Sequence, residues 1–327
     1  MRCRKNVNDA LSVRTYETLI RHPGAFRSLT GMTPDAFAEL LPAFRDAQAR
    51  RQRQSRATRQ GRPRQRAAGA GHPHDHDDCH RLLMALIWLR IYPTYELLGF
   101  FFGLHKRNAQ LNVRDVLAVL DTADDFPFDR PGPERDKLRS ADQVMAAFPQ
   151  VRVIIDSKEQ RVHRPRGYDA QKPYYSGKKK AHTVKTQVVV DPCGHIEALG
   201  ASVPGGANHD LPLLCGSGIL EQLSDGEAAM MDKGYVGVKN YYAGVPVVLP
   251  FKATRNHPLT EEQKAYNREV ARYRIVVEHT MAQLNRFTVL RQTFRGQQRG
   301  RHGQVLRVVG KLVNRRLRVK PLKTYAA

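Results

Sequence analysis

Val151-Arg-Val-Ile-Ile155 is a run of branched aliphatic residues broken by one arginine, and Asp156 follows it at once. A run of that kind suits a strand covered on both faces at the centre of a sheet. Thr183 to Val190 reads as a second strand, ended by the turn Asp191-Pro-Cys-Gly194, and His195 to Val203 as its hairpin partner. Leu211 to Leu223 reads as a helix after Asn208-His-Asp210. Ala228 to Met231 and Val245 to Leu249 are short strands, with Asp232 directly after the first. Thr260-Glu-Glu-Gln263 is a capping box that opens a helix running to about Asn285. From Val151 the order is three strands, helix, strand, strand, helix, the pattern of an α/β unit with a mixed sheet.

Upstream the periodicity is helical. Thr33 caps a helix with Pro34 in its first turn, and Phe37, Leu40, Leu41 and Phe44 form its apolar face. Arg50 to about Gly71 has no apolar period and reads as a solvated arm. Between Arg81 and Leu120 lie three helices, the second capped by Thr94 and the third opening with Lys106, Arg107 and Asn108 after Gly103-Leu-His105. That is the outline of a helix-turn-helix, although any small helical bundle shares it. The divisions are a helical region at 1–49, a basic and His-rich arm at 50–80, and a helix-turn-helix-like region at 81–125. A connector at 126–150, the α/β unit at 151–290 and a basic C-terminal helix and tail at 291–327 complete the chain.

The 327 residues carry a formal charge of +23, and the excess is localised. Arg50 to Arg66 holds eight arginines and no acid, and His279 to Ala327 holds twelve Lys/Arg and no acid. Such runs exclude a uniformly decorated housekeeping enzyme and point to a polyanion, most simply nucleic acid. No segment reads as a basic membrane anchor, and the apolar run Leu82 to Leu104 is interrupted by Arg90, Pro93 and Glu96. The four cysteines show no paired spacing and Met1-Arg-Cys-Arg-Lys leads no signal peptide, so reduced thiols and a cytoplasmic protein are expected.

Asp156, Asp232 and Glu278 stand out because of the elements that carry them. Asp156 and Asp232 end strands that can lie side by side, and Glu278 lies within the late helix. Three hard oxygen donors around an open volume suit Mg²⁺ or Mn²⁺, and two such ions can activate a hydroxyl and stabilise a leaving oxygen at phosphorus. Singly, each acid has a plainer reading: aspartates often end strands, and Glu278 can pair with Arg274 one helical turn away.

Five motifs in unbroken order carry a resemblance: Ile154-Ile-Asp156 with Arg161-Val-His-Arg-Pro165; Tyr175-Ser-Gly-Lys-Lys-Lys-Ala-His-Thr-Val-Lys185; Pro204-Gly-Gly-Ala-Asn-His-Asp210; Asp232-Lys-Gly-Tyr235; and Arg274-Ile-Val-Val-Glu278. Together they resemble the insertion-sequence DDE transposases, in the branch that in eukaryotes includes the Harbinger transposases. The resemblance implies an RNase H-like mixed-sheet catalytic domain preceded by an α-helical, helix-turn-helix-like DNA-binding region. It also implies divalent metal, with two ions held by Asp156, Asp232 and Glu278, and DNA cleavage with strand transfer.

Lys178, Lys179, Lys180 and Lys185 would hold backbone phosphates, Arg107, Arg274 and Arg286 would also bind DNA, and Arg274 would orient Glu278. Double-stranded DNA, as terminal repeats and target, is the expected partner, bound by a homodimer or larger assembly in a bacterial nucleoid. Two rivals are an endonuclease that no longer joins strands and a non-catalytic DNA-binding descendant. The first motif usually reads Asp-Gly-Thr-Glu and here is Asp156-Ser-Lys-Glu159. The late helix usually has Tyr and Lys seven residues either side of the Glu, where Ala271 and Asn285 stand here, with Tyr273 and Arg286 as neighbours. Asp210 competes with Asp232 for the second acid and is kept as an auxiliary. His72, His74, His76, Cys79 and His80 are too densely spaced for a standard zinc site.

Overall fold

The computed structural model describes residues 15–57, 76–122, 146, 148–255, 257–296 and 300–319. They divide into two compact units, Met1–Pro127 with Arg286–Val289, and Phe128–Asn285 with Leu290–Ala327.

The first unit is helical: α1 (Thr15–Ile20), α2 (Pro23–Thr30), α3 (Pro34–Ala57), α4 (Asp78–Ile91), α5 (Tyr95–Phe101) and α6 (Lys106–Thr122). Side-chain caps set three of the starts. Thr33 Oγ1 accepts the Ala36 N–H at 3.2 Å, Asp77 Oδ1 that of His80 at 2.9 Å, and Thr94 Oγ1 that of Leu97 at 3.2 Å. Phe26, Phe37, Leu40 and Phe44 bury themselves with Leu82, Leu86 and Leu89 of α4 and Val113, Val116 and Leu117 of α6. Arg81 is buried in this core, and its guanidinium donates to Asn112, Gln48 and Asp78 at 3.0–3.2 Å.

α3 runs on to Ala57, so the first arginines of the basic stretch are helical; 58–75, with His72 and His74, lie outside the described residues. His76 reaches the Phe102 carbonyl at 2.7 Å and Cys79 is buried on α4. α5 and α6 are joined by a turn in which Gly103 has φ +64°. The turn folds back closely: a Cβ on Gly99 would stand 2.4 Å from the Leu104 carbonyl oxygen.

The second unit is built on one seven-stranded sheet: β1 (Val151–Arg161), β2 (Tyr175–Ser176), β3 (Ala181–Val190), β4 (Ile196–Leu199), β5 (Val203–Pro204), β6 (Ala228–Met230) and β7 (Val247–Val248). The order is β2-β3-β1-β6-β7, with β4 and β5 also pairing with β3. β1 is antiparallel to β3 and parallel to β6, and β6 is parallel to β7. The helices are α7 (Tyr168–Gln171), α8 (Asp210–Cys215), α9 (Glu261–Asn285) and α10 (Arg301–Val319).

β1 is central, as its apolar run requires. Val153 and Ile155 pack with Leu214, Tyr235 and Val238 on one face, while Ile154 is buried on the face that α9 covers. The strand continues six residues past Ile155 because β3 pairs with that polar stretch, from Asp156↔Val188 to Arg161↔Thr183. The helix expected from Leu211 to Leu223 stops at Cys215. Gly216-Ser-Gly218, with Gly218 at φ +67°, turns the chain before a 3₁₀ turn at Leu220–Gln222. The Thr260 capping box forms reciprocally with Gln263, at 3.1 and 3.2 Å. No helix among the described residues is long and apolar enough to cross a membrane.

α10 is tied to the sheet by buried polar groups. Asn314 bonds both the N–H and the carbonyl of Ile196, and His302 lies 2.8 Å from Ser202 Oγ and 2.9 Å from Gln160 Oε1. Burial, then the charge of Lys158, lowers the His302 pKa to about 4.

Two outcomes are expected. Gly99→Ala forces the α5–α6 turn apart and costs roughly 1–3 kcal/mol, whereas Gly24→Ala, with open space around it, is neutral or stabilising; thermal melts compare them. Because His302 binds its proton less readily folded than unfolded, unfolding takes up a proton below about pH 6.5. Stability therefore falls as pH drops from about 6.5 towards 4, and His302→Gln flattens that limb of a pH–stability curve.

Candidate active site

Asp156 stands on β1 opposite Val188 of β3, two residues beyond Ile154, where the pairing of β1 with β6 ends. Its Oδ1 accepts the Ser157 N–H at 2.7 Å, and Arg274 Nη2 on α9 lies 3.4 Å from Oδ2. Burial raises the Asp156 pKa; the Ser157 bond and Arg274 oppose that rise, and Asp232 and Asp210 add to it. Three carboxylates therefore lie within electrostatic reach at this edge of the sheet.

Asp232 arrives just after β6, the parallel neighbour of β1. It caps the 3₁₀ turn Lys233–Tyr235, its Oδ1 accepting the Gly234 N–H at 2.7 Å. A Cβ on Gly234 would stand 2.9 Å from Asp232 Oδ1 and 2.9 Å from Asp210 Oδ2, so the absence of a side chain lets the two carboxylates sit side by side. Tyr235 anchors the turn. Its ring is fully buried, and its hydroxyl lies 3.1 Å from Ser157 Oγ and accepts the Gln187 amide at 3.4 Å. One phenol thus links the Asp232 turn to β1 and β3, and burial pushes its pKa up.

Asp210 opens α8 at the end of the Gly205-Gly206 loop. A Cβ on Gly205 would fall 2.2 Å from Thr183 Oγ1, and one on Gly206 would fall 2.1 Å from the Tyr175 carbonyl oxygen, so only glycines let the loop lie this close to the β2–β3 hairpin. Gly206 and Ala207 donate to the Pro173 carbonyl at 2.9 and 2.8 Å. Lys185 Nζ stands 3.2 Å from Asp210 Oδ1, an ion-pair distance. That oxygen is buried and receives no well-directed hydrogen bond, which leaves it able to serve a cation.

Glu278 is exposed on α9, one turn beyond Arg274 and on the same helix face, and makes no ion pair among the described residues. Arg274 is directed to Asp156 rather than to Glu278. Lys178, Lys179 and Lys180 are exposed in the β2–β3 turn, where Lys180 takes φ +47° and the Lys179 N–H donates to Ser176 Oγ at 3.3 Å. Arg107 is exposed in the first turn of α6. Arg286 is exposed in the segment that counts with the helical unit, its carbonyl accepting from Arg90.

The oxygens that Asp156, Asp232 and Asp210 offer here are a donor set suited to a hard divalent cation. A different cluster packs its donor atoms more tightly: Asp191, Cys193 and His195, all within 4.8 Å. Here Asp191 Oδ1 accepts the N–H groups of Cys193 and His195 at 2.9 Å, the arrangement of a turn held by its own aspartate. Two groups at the carboxylate edge escaped the reading of the sequence. In the sequence Tyr235 is one member of the Asp232-Lys-Gly-Tyr235 motif, and the signal that would single it out is that a buried tyrosine needs a partner for its hydroxyl. In the sequence Lys158 is a departure from the usual motif, and in the fold it is a lysine within a central strand, a charge out of place; burial, then Lys179, lowers its pKa to about 8.

A family model described as DDE superfamily endonuclease matches residues 155–314. A probable transposase for insertion sequence element IS702 from Microchaete diplosiphon is 31% identical over 241 residues, covering 73% of this chain and 81% of that protein. No solved structure matches.

Gly234→Ala tests the shared carboxylate corner. It is expected to weaken Mn²⁺ binding by about tenfold in calorimetric titration while leaving the far-ultraviolet circular dichroism unchanged.

Proposed function

The chain belongs to the insertion-sequence transposases of the DDE endonuclease superfamily, and on that footing we propose that it cuts the phosphodiester at each end of its own element and transfers the freed 3′-hydroxyl to target DNA. The observation that carries the proposal is the convergence of Asp156, Asp232 and Asp210 at one edge of the sheet, with Glu278 one turn beyond the arginine that touches Asp156. Leaving aside β2 and β5, the strands run β4-β3-β1-β6-β7, and Asp232 follows the fourth of them in chain order. That arrangement supports an RNase H-like reading of the fold.

Asp156, Asp232 and Glu278 would hold divalent cations, Mg²⁺ or Mn²⁺ and two in number, which when bound activate the attacking oxygen and stabilise the leaving one. The chain's own groups prepare that edge. Ser157 and Gly234 N–H groups fix one oxygen each of Asp156 and Asp232, so neither carboxylate has to be reoriented when substrate arrives. Arg274 offsets the repulsion felt by Asp156, and Lys185 does the same for Asp210. The exposed lysines of the 178–180 turn are placed to take backbone phosphates, which position DNA without reading its sequence.

Sequence reading falls to the helical unit. α5 and α6 form the two helices of a helix-turn-helix, and Lys106, Arg107, Asn108 and Gln110 are exposed at the N-terminal end of α6, where such a helix meets base edges. Arg286 adds a phosphate contact. Both ends of an element must be cut together, which calls for a homodimer or larger assembly on the DNA.

The test is cleavage of duplex DNA carrying the sequences that flank the gene, with Mg²⁺ or Mn²⁺. Asp232→Asn is expected to lower the rate by at least about a hundredfold and to bind the duplex normally, while Asp210→Asn still cuts. Cleavage that survives Asp232→Asn but not Asp210→Asn would move the second catalytic carboxylate to Asp210. A wild-type protein that binds the ends and cuts with neither ion would leave only the DNA-binding role.

A further inference from the structure

Away from the carboxylate edge, Asp191-Pro-Cys-Gly-His195 turns the chain from β3 into β4. It sets a carboxylate, a thiol and an imidazole at alternate positions, and one donor atom of each lies within 4.8 Å of the other two. Among the described residues no other three side chains of His, Cys, Asp or Glu gather their donor atoms so closely.

The backbone of this turn is already fixed. Asp191 Oδ1 accepts the N–H groups of Cys193 and His195, both at 2.9 Å. The Asp191 N–H donates to the His195 carbonyl at 2.9 Å, and the Gly194 N–H to the Asp191 carbonyl at 2.9 Å. Gly194, at φ +83°, completes the reversal. Two buried side chains fasten the turn from outside. Thr280 of α9 donates to the Gly194 carbonyl at 2.8 Å, and Asn314 of α10 bonds both backbone groups of Ile196. An ion bound here would have only side chains to order.

Those side chains keep ligating capacity. Asp191 gives one oxygen to the turn; the other, Oδ2, stands 3.2 Å from His195 Nδ1. Cys193 is a thiol and not half of a disulfide. Cys193 and His195 each retain part of their surface in solvent, which gives an ion a way in. Donor atoms around one tetrahedral zinc stand roughly 3.3–3.8 Å apart, so a contraction of about 1 Å from the present 4.8 Å closes the group on an ion.

We propose that Asp191, Cys193 and His195 form a zinc site, with three protein ligands and water in the fourth position. The thiol separates it from the carboxylate edge: sulfur and imidazole suit Zn²⁺, whereas carboxylates suit Mg²⁺ and Mn²⁺. On binding, Cys193 coordinates as the thiolate and its proton leaves to solvent, while His195 coordinates through a ring-nitrogen lone pair. The ion locks the turn that Thr280 and Asn314 tie to α9 and α10. The site does not depend on the DNA-cutting reading.

The experiment titrates the metal-stripped full chain with Co²⁺, a spectroscopic stand-in for Zn²⁺. It uses an Asp156→Asn/Asp232→Asn background, which removes the carboxylate edge as a competitor. The expected result is a sulfur-to-cobalt charge-transfer band in the near ultraviolet that saturates at one equivalent. Zn²⁺ bleaches it and excess Mg²⁺ does not. Cys193→Ser abolishes the band and weakens Zn²⁺ binding by at least about a hundredfold. Asp191→Asn, which keeps the oxygen that holds the turn, weakens it by about tenfold. Zn²⁺ at about a hundred times its dissociation constant raises the melting temperature by about 5 °C, and Cys193→Ser loses that rise.

A band that persists in Cys193→Ser comes from another of the four cysteines and would overturn the site. Co²⁺ binding with no such band would overturn it too, as would Zn²⁺ affinity that Cys193→Ser leaves unchanged.

Discussion

Carboxylates repel one another, and the second unit of this chain holds three of them together at the edge of a single sheet. Asp156 is pushed towards its protonated form by burial and by the charges of Asp232 and Asp210, a standing cost that a folded chain keeps only where the arrangement has a use. Much of the surrounding structure follows from tolerating that cost. Gly234 has no side chain where two carboxylate oxygens approach, and the glycines at 205 and 206 let the loop bearing Asp210 lie against the hairpin. Tyr235, locked between Ser157 and Gln187, keeps the Asp232 turn from relaxing away from β1. A divalent cation relieves the repulsion directly, which is why the edge suits one.

The cations are distributed with the same economy. Arg274 and Lys185 are spent inside the unit, on Asp156 and Asp210, where they moderate the acids without filling the space between them. The lysines of the 178–180 turn stay exposed. Lys158 falls between these classes, buried like the first and lacking an acid like the second. The departures at Lys158 and Asn285 from the usual motif pattern, read separately in the sequence, are joined in the fold by one hydrogen bond.

Features governed by neighbours in the chain were legible from the residues. Thr33, Thr94 and Thr260 mark helix starts because a hydroxyl reaches an N–H only two or three residues on, a distance that sequence alone specifies. Val151 to Ile155 had to be a central strand because so apolar a run needs cover on both faces. The helix from Leu211 failed at Cys215, where apolar spacing suggested continuation and two glycines supplied a cheaper turn. The polar half of β1, from Asp156 to Arg161, was illegible because its pairing is owed to β3, some twenty to thirty residues away.

The site divides along the same line. By itself the sequence determined which acids are in play, the order of the elements that carry them, and the motif pattern that places the chain among the insertion-sequence transposases, since each of these is a property of residue type and spacing. Only the tertiary structure decided which charges meet: that Arg274 reaches Asp156 rather than Glu278 one turn away, that Lys185 stands on Asp210, and that Lys158 is buried against Asn285. Long side chains can reach several partners. The choice among them is made by how a helix lies across a sheet, and that depends on the packing of residues far apart in the chain.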